Sequence, residues 1–219
     1  MQALQYGSWV IGLGLNLLVI SALFRGSYRK YPFVLLYSVA LFLSTVVEIA
    51  LHSAPKQVRE DYYWGNEIIL DVLVFCLVIA FIDEASRYSR QRPVPRQWLI
   101  LVSVLISCGS FVMHHSSHLN LQMTLVSRDL NICAVILDLV LWSLLMTARR
   151  PNRQLLLLSG GLGLQLTGAI MGQSLRPVSH SLFWVGTSLE VSTGFLGLYV
   201  WWRALRGAYS DVRHVNRAA

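Results

Sequence analysis

Residues 66–86 read NEIILDVLVFCLVIAFIDEAS. From Val72 to Ile82 no charged or strongly polar side chain occurs. A helix rises about 1.5 Å per residue and a bilayer's hydrocarbon is about 30 Å thick, so this stretch is long enough to cross one. Its two early acids, Glu67 and Asp71, stand at i and i+4 and share a helix face.

Moving outward along the chain, a window of about 19 residues finds six more segments of this kind. The seven cover residues 4–24, 33–52, 66–86, 98–115, 128–147, 154–175 and 182–204. Pro32, Pro55, Pro93, Pro95, Pro151 and Pro177 all fall in the breaks, where an interrupted helix does no harm. The expected fold is therefore all-α, a seven-transmembrane-helix bundle over residues 1–206, followed by a short disordered cytoplasmic tail over 207–219. Composition agrees. Hydrophobic residues make up 55% and charged residues 13% of the chain, with mean hydropathy +0.54. Soluble domains carry roughly 25% charged residues. A disordered chain would be polar, and three cysteines are too few for a disulfide scaffold.

The net charge of +7 is explained without nucleic acid. Arg25, Arg29, Lys30, Arg87, Arg90, Arg92, Arg96, Arg149, Arg150, Arg153, Arg203, Arg206, Arg213 and Arg217 all fall on one side of the seven segments. Lys56, Arg59, Arg128 and Arg176 fall on the other. The positive-inside rule then places the N-terminus outside and the C-terminus in the cytoplasm. The expected location is a bacterial cytoplasmic (inner) membrane, multi-pass, with the lipid bilayer as partner. Tyr6, Trp9, Tyr62, Tyr63, Trp64 and Trp184 are expected in the outer interface belt, and Tyr31, Trp98, Trp201 and Trp202 in the inner one.

Counting residues from the inner arginines gives the depth of each acid. Asp71 stands about 24 Å from the inner interface, Glu190 about 20–24 Å, Glu48 about 27 Å and Asp138 about 17 Å, near the midplane. Glu67, His52, His114 and Gln173 fall near the outer interface. An unpaired charge facing lipid costs roughly 2.5–3.5 kcal/mol, so these acids are expected to face the bundle interior. Together they predict an acidic polar cavity open to the outside, with Glu48, His52, Glu67, Asp71, Arg128, Asp138, Gln173 and Glu190 as ligand-binding candidates. Arg128 is expected to pair with Glu67, and Ser127 to cap the helix after it.

Glu48 and His52 also share a face, opposite Glu67 and Asp71 on the neighbouring segment. Carboxylates and imidazoles are ligands for hard or borderline cations. Glu48, His52, Glu67, Asp71, His114 and His115 are thus the candidates for a metal ion, with a hydrogen-bonded helix clamp as the plainer reading. No other cofactor is predicted. No lysine falls in any segment, which excludes a retinal Schiff base, and neither H-E-x-x-H nor G-x-S-x-G occurs. The glycines at 160, 161, 163, 168 and 172 predict close helix packing, as do those at 12, 14, 194 and 197. Ile69-Leu70-Asp71-Val72, Ile136-Leu137-Asp138-Leu139 and Ser188-Leu189-Glu190-Val191 hint at a repeated three-helix unit.

Tyr62-Tyr63-Trp64-x2-Glu67, Tyr31-Pro32-Phe33 and Arg128 resemble an uncharacterised family of bacterial seven-helix integral membrane proteins. The resemblance implies no activity. It implies only that Glu67 and Arg128 act as a unit. The function expected from the residues is binding or sensing of a small solute or cation from the outer side, with no nucleic acid. The alternatives are a proton- or cation-coupled transporter, a structural or assembly subunit, and a metal-dependent intramembrane enzyme.

Overall fold

The computed structural model describes residues 2–86, 97, 104–105, 108–109, 112–113, 119–147, 152–176 and 179–218. Six long helices lie among them, and no strand. They are α1 (Gln2–Ala22), α2 (Pro32–Ala50), α3 (Lys56–Ser86), α4 (Leu119–Thr147), α5 (Arg153–Leu175) and α6 (His180–Ala218). The remaining single and paired residues between 97 and 113 are helical too. Most of the expected fourth segment, 98–115, lies outside the described residues, as do His114, His115 and His118.

The helix ends follow local chemistry. Pro32 opens α2 at a position where its missing N–H is not needed. Asn152 caps α5, its Oδ1 accepting from the N–H groups of Gln154 (3.2 Å) and Leu155 (3.3 Å). A π-turn at Leu23–Ser27 ends α1, and a 3₁₀ turn at Leu51–Ser53 ends α2.

Three helices outrun expectation. α3 begins at Lys56 and α4 at Leu119, each about two to three turns before the apolar run. Polar residues at a span's outer end need not leave the helix, because backbone hydrogen bonding continues into the interface. Ser127 is therefore an interior residue of α4 and not its cap. α6 likewise runs through the expected tail to Ala218.

Each helix packs on its neighbour in sequence, α3 meets α4 directly, and α6 returns to α1. The result is a closed ring in which α3 also touches α5. The α5–α6 seam is the closest, and glycine is the reason. A Cβ on Gly172 would stand 2.8 Å from Gly186 O, and one on Gly168 would collide with Thr193. Gly161 lies against Trp201, and Gly197 against Gln165. The packing read from glycine spacing is thus present for α5 and α6. A Cβ on Gly12 would only touch Phe195, at 3.5 Å, and one on Gly14 or Gly194 would meet nothing within 4 Å.

The surface is apolar. Val10, Leu139, Val72 and Leu196 are 70%, 63%, 56% and 55% exposed. Patches of this kind mark contact with lipid or protein. Among the described residues, four helical stretches are long and apolar enough to cross a membrane: Tyr6–Arg25, Pro32–Ser53, Val126–Thr147 and Arg153–Leu175.

Three tyrosine and tryptophan placements differ from the expected belts, one of them Trp9, which is buried against His52. Trp201 is fully buried, donating Nε1–H to Leu158 O (2.7 Å) and stacking edge-on to Tyr37. Tyr31 is buried too, with its ring edge-on to Phe81 and its hydroxyl donating to Gln154 Oε1 (3.4 Å). Trp201 and Tyr31 each have a polar partner inside the protein, so neither needs interfacial water. Tyr6, Tyr63 and Trp184 remain on the surface, as a belt requires.

Around the α4–α5 contact, Leu141, Leu145, Leu155, Leu158 and Leu162 are all buried to within 1% of completely. They form a leucine layer beside Asp138 and on its basic side.

Candidate functional site

Most of the predicted acids converge at the end of the bundle away from the basic loops. α3 contributes Glu67 and Asp71, α4 contributes Ser127, α5 contributes Arg176, and α6 contributes Glu190. Ser127 Oγ donates to Glu67 Oε1 (3.2 Å) and lies in hydrogen-bonding reach of Asp71. One hydroxyl carries one proton, so it serves one of these carboxyls at a time. Arg176 Nη2 donates to Glu190 Oε2 in an ion pair, and Arg176 is also within electrostatic reach of Glu67. Tyr63 and Tyr37 complete the surroundings. Tyr63 feels Glu67, Glu190 and Arg176, and Tyr37 feels Asp71 and Glu67. Asp71 and Ser127 are buried, while Arg176 and Glu190 are about a third exposed or less.

The local packing explains the convergence. Gly172 and Gly186 bring α5 and α6 together, and the Glu190 side chain lies over Gly172, within 3.1 Å of where a Cβ would stand. Arg176 is one turn beyond, within reach of that carboxylate. On α4, Ser127, Asn131 and Asp138 share one face and are 5%, 6% and 4% exposed. That face presents Ser127 to α3 at the top and Asp138 to α5 below. Asp138 Oδ1 accepts from Ser159 Oγ (2.7 Å), and Oδ2 fills the space left by the missing side chain of Gly163.

Several expectations are corrected. Glu48 does not face the interior. It is exposed near the end of α2, where Trp9 hydrogen-bonds it, and His52 stacks on Trp9 (5.4 Å) and Tyr6 (6.0 Å). Glu48 and His52 thus turn to α1, and the expected four-residue constellation with Glu67 and Asp71 is not assembled. Among the described residues no group of three or more His, Cys, Asp or Glu side chains is arranged to hold a metal ion. Arg128 pairs with its neighbour Asp129 (3.6 Å), not with Glu67. The guanidinium near Glu67 is that of Arg176, which the sequence reading leaves in a loop. Gln173 is buried one turn before it, and its Oε1 has no partner among the described residues.

Ser127, Arg176, Tyr37 and Tyr63 are the members that sequence reasoning missed. Arg176 carried a usable signal: it follows Gln173 by one turn, at the C-cap of the same helix. No known protein family, no curated protein and no solved structure matches this chain.

Proposed function

We propose that this chain is a seven-helix integral membrane protein of the bacterial cytoplasmic membrane, with its N-terminus outside and its C-terminus in the cytoplasm. In this reading the cluster of Glu67, Asp71, Ser127, Arg176 and Glu190 faces an outward-open polar cavity and binds a small cationic solute or ion. One observation carries it: among the described residues, three carboxylates share the cluster with a single guanidinium. Arg176 neutralises Glu190 and lies within electrostatic reach of Glu67, and among the described residues the Ser127 hydroxyl is the donor that Glu67 and Asp71 share. A cation, or a solute offering hydrogen-bond donors, completes such a set.

The test is a thermal-shift screen of the purified protein against alkali and alkaline-earth cations and small primary amines. A cation that raises the melting temperature of the wild type and leaves Glu67→Gln/Asp71→Asn unmoved supports the reading. A uniform absence of shifts, with the double variant as stable as the wild type, defeats it and leaves a structural or assembly role.

A second reading, coupled transport of a proton or cation, is favoured by the face that joins Ser127, Asn131 and Asp138. It supplies polar groups from the outer cluster toward the midplane. Uptake into proteoliposomes, abolished in Asp138→Asn while binding at the outer cluster persists, is the result that reading requires.

A further inference from the structure

The opposite end of the bundle holds a cleft of about 240 Å³ between the α1–α2 turn and the last turns of α3. Phe81 and the aromatic wall of Tyr31 make its apolar part. Arg29 and Lys30 line one side, and Asp83 and Glu84 the other. The two cations are held by rings and not by acids. Arg29 lies 5.7 Å from the centroid of Tyr28, and its Nε donates to the Tyr28 hydroxyl (3.0 Å). The Lys30 ammonium lies 5.0 Å from the centroid of Tyr31. Among the described residues neither cation meets a carboxylate, although both signs line the same cleft.

Charges kept apart in this way match a ligand that is itself split. A phosphodiester fits the guanidinium and ammonium side by charge-assisted hydrogen bonds. A primary ammonium fits the carboxylate side, where it joins the interactions Asp83 and Glu84 already make. Tyr31 is fixed between them by its hydrogen bond to Gln154 and its edge contact with Phe81. Gln154 Nε2, behind it, is a buried donor with no partner among the described residues. At the same end of the bundle Phe24 and Leu36 turn outward, 63% and 51% exposed, as apolar surface for acyl chains.

We infer that this cleft binds the headgroup of a phosphatidylethanolamine-type phospholipid, with the phosphodiester on Arg29 and Lys30 and the ammonium on Asp83 and Glu84. The inference rests on the membrane-spanning reading of the bundle and is independent of the outer cluster.

Native mass spectrometry of the full chain in mild detergent tests it. Phosphatidylethanolamine and phosphatidylglycerol with identical acyl chains are added in equal amounts. The expected result is one retained lipid per chain, phosphatidylethanolamine preferred by at least about tenfold, the worth of one hydrogen bond to a charged group. Arg29→Gln/Lys30→Gln lowers retention of both lipids at least about tenfold, since each basic side chain at a lipid surface contributes about fivefold. Arg29→Lys/Lys30→Arg, which keeps both charges, retains the lipid. Asp83→Asn/Glu84→Gln still binds lipid and loses the preference. Equal retention of the two lipids by the wild type overturns the ammonium half. Wild-type retention by the charge-neutral pair, or an equal fall in the charge-conserving pair, overturns the whole. Free phosphoethanolamine is the last arm: binding as tight as the lipid's would make this a site for a soluble zwitterion and overturn the lipid source.

Discussion

Arg176 at the end of α5 closes on Glu190 of α6, tying the two helices at the point where Gly172 and Gly186 already bring their backbones together. The pair is only partly shielded, so its worth falls between that of an exposed and a buried salt bridge. Arg176→Gln leaves Glu190 without its cation and is expected to destabilise the protein by about 1–3 kcal/mol. Arg176→Gln/Glu190→Gln, which removes both charges, should recover part of that loss. Thermal unfolding of the wild type, Arg176→Gln, Glu190→Gln and the double variant in one detergent reads the cycle, and equal losses in Arg176→Gln and the double variant would count against the pairing.

The α5–α6 seam predicts an asymmetry among glycines. Gly172→Ala drives a methyl against the Gly186 carbonyl, and backbone cannot step aside as a flexible side chain can. The expected cost is about 1–3 kcal/mol. Gly14→Ala meets nothing within 4 Å and should be neutral or gain up to about 1 kcal/mol from helix propensity. Comparable melting temperatures for the two variants would contradict the packing.

Trp201→Phe keeps most of a buried ring and loses the hydrogen bond to Leu158 O. The expected loss is about 1–2 kcal/mol, from one buried bond and a little volume. A loss near zero would mean the indole N–H contributes nothing across the seam.

Orientation is open to chemistry. In a background with Cys76, Cys108 and Cys133 replaced by serine, Lys56→Cys and Arg29→Cys place one thiol at each end of the ring. A membrane-impermeant maleimide applied to intact cells should label the first and spare the second. The reverse pattern would invert the proposed topology.

The sequence made the helices and the depth of their polar residues legible, but not their rotation. Helix ends at Pro32 and Asn152 follow from local chemistry, and the glycines of α5 follow from size. Counting along the chain puts Glu67, Asp71 and Glu190 in the half of the bundle away from the inner arginines, and the structure brings them together. Counting also puts Glu48 in that half. Which way a side chain points depends on how its helix is turned against its neighbours, and α2 turns Glu48 toward α1. The same limit exchanged Arg128 for Arg176. Both lie at the same end of the bundle, yet α4 directs Arg128 to Asp129 while α5 delivers Arg176 to Glu190. Ser127 caps nothing, because the polar run before it is helical: α4 begins at Leu119. Trp201 and Tyr31 were assigned to an interface by type. Each instead found an oxygen within the protein, a partner visible only once helices distant in sequence had packed.

The leucine layer of Leu141, Leu145, Leu155, Leu158 and Leu162 has an electrical consequence. A membrane voltage falls mainly across whatever is least polarisable, and each elementary charge carried through the whole drop is worth about 2.3 kcal/mol per 100 mV. On the proposed topology, with the cluster open to the outside, this layer would be the insulator, and the carboxylates above it would sit near the potential of the outer solution. An ion arriving at Glu67 and Asp71 therefore crosses little of the field, and its occupancy should hardly change when the membrane is depolarised. The work of charge movement is left to any step that would carry an ion past Asp138.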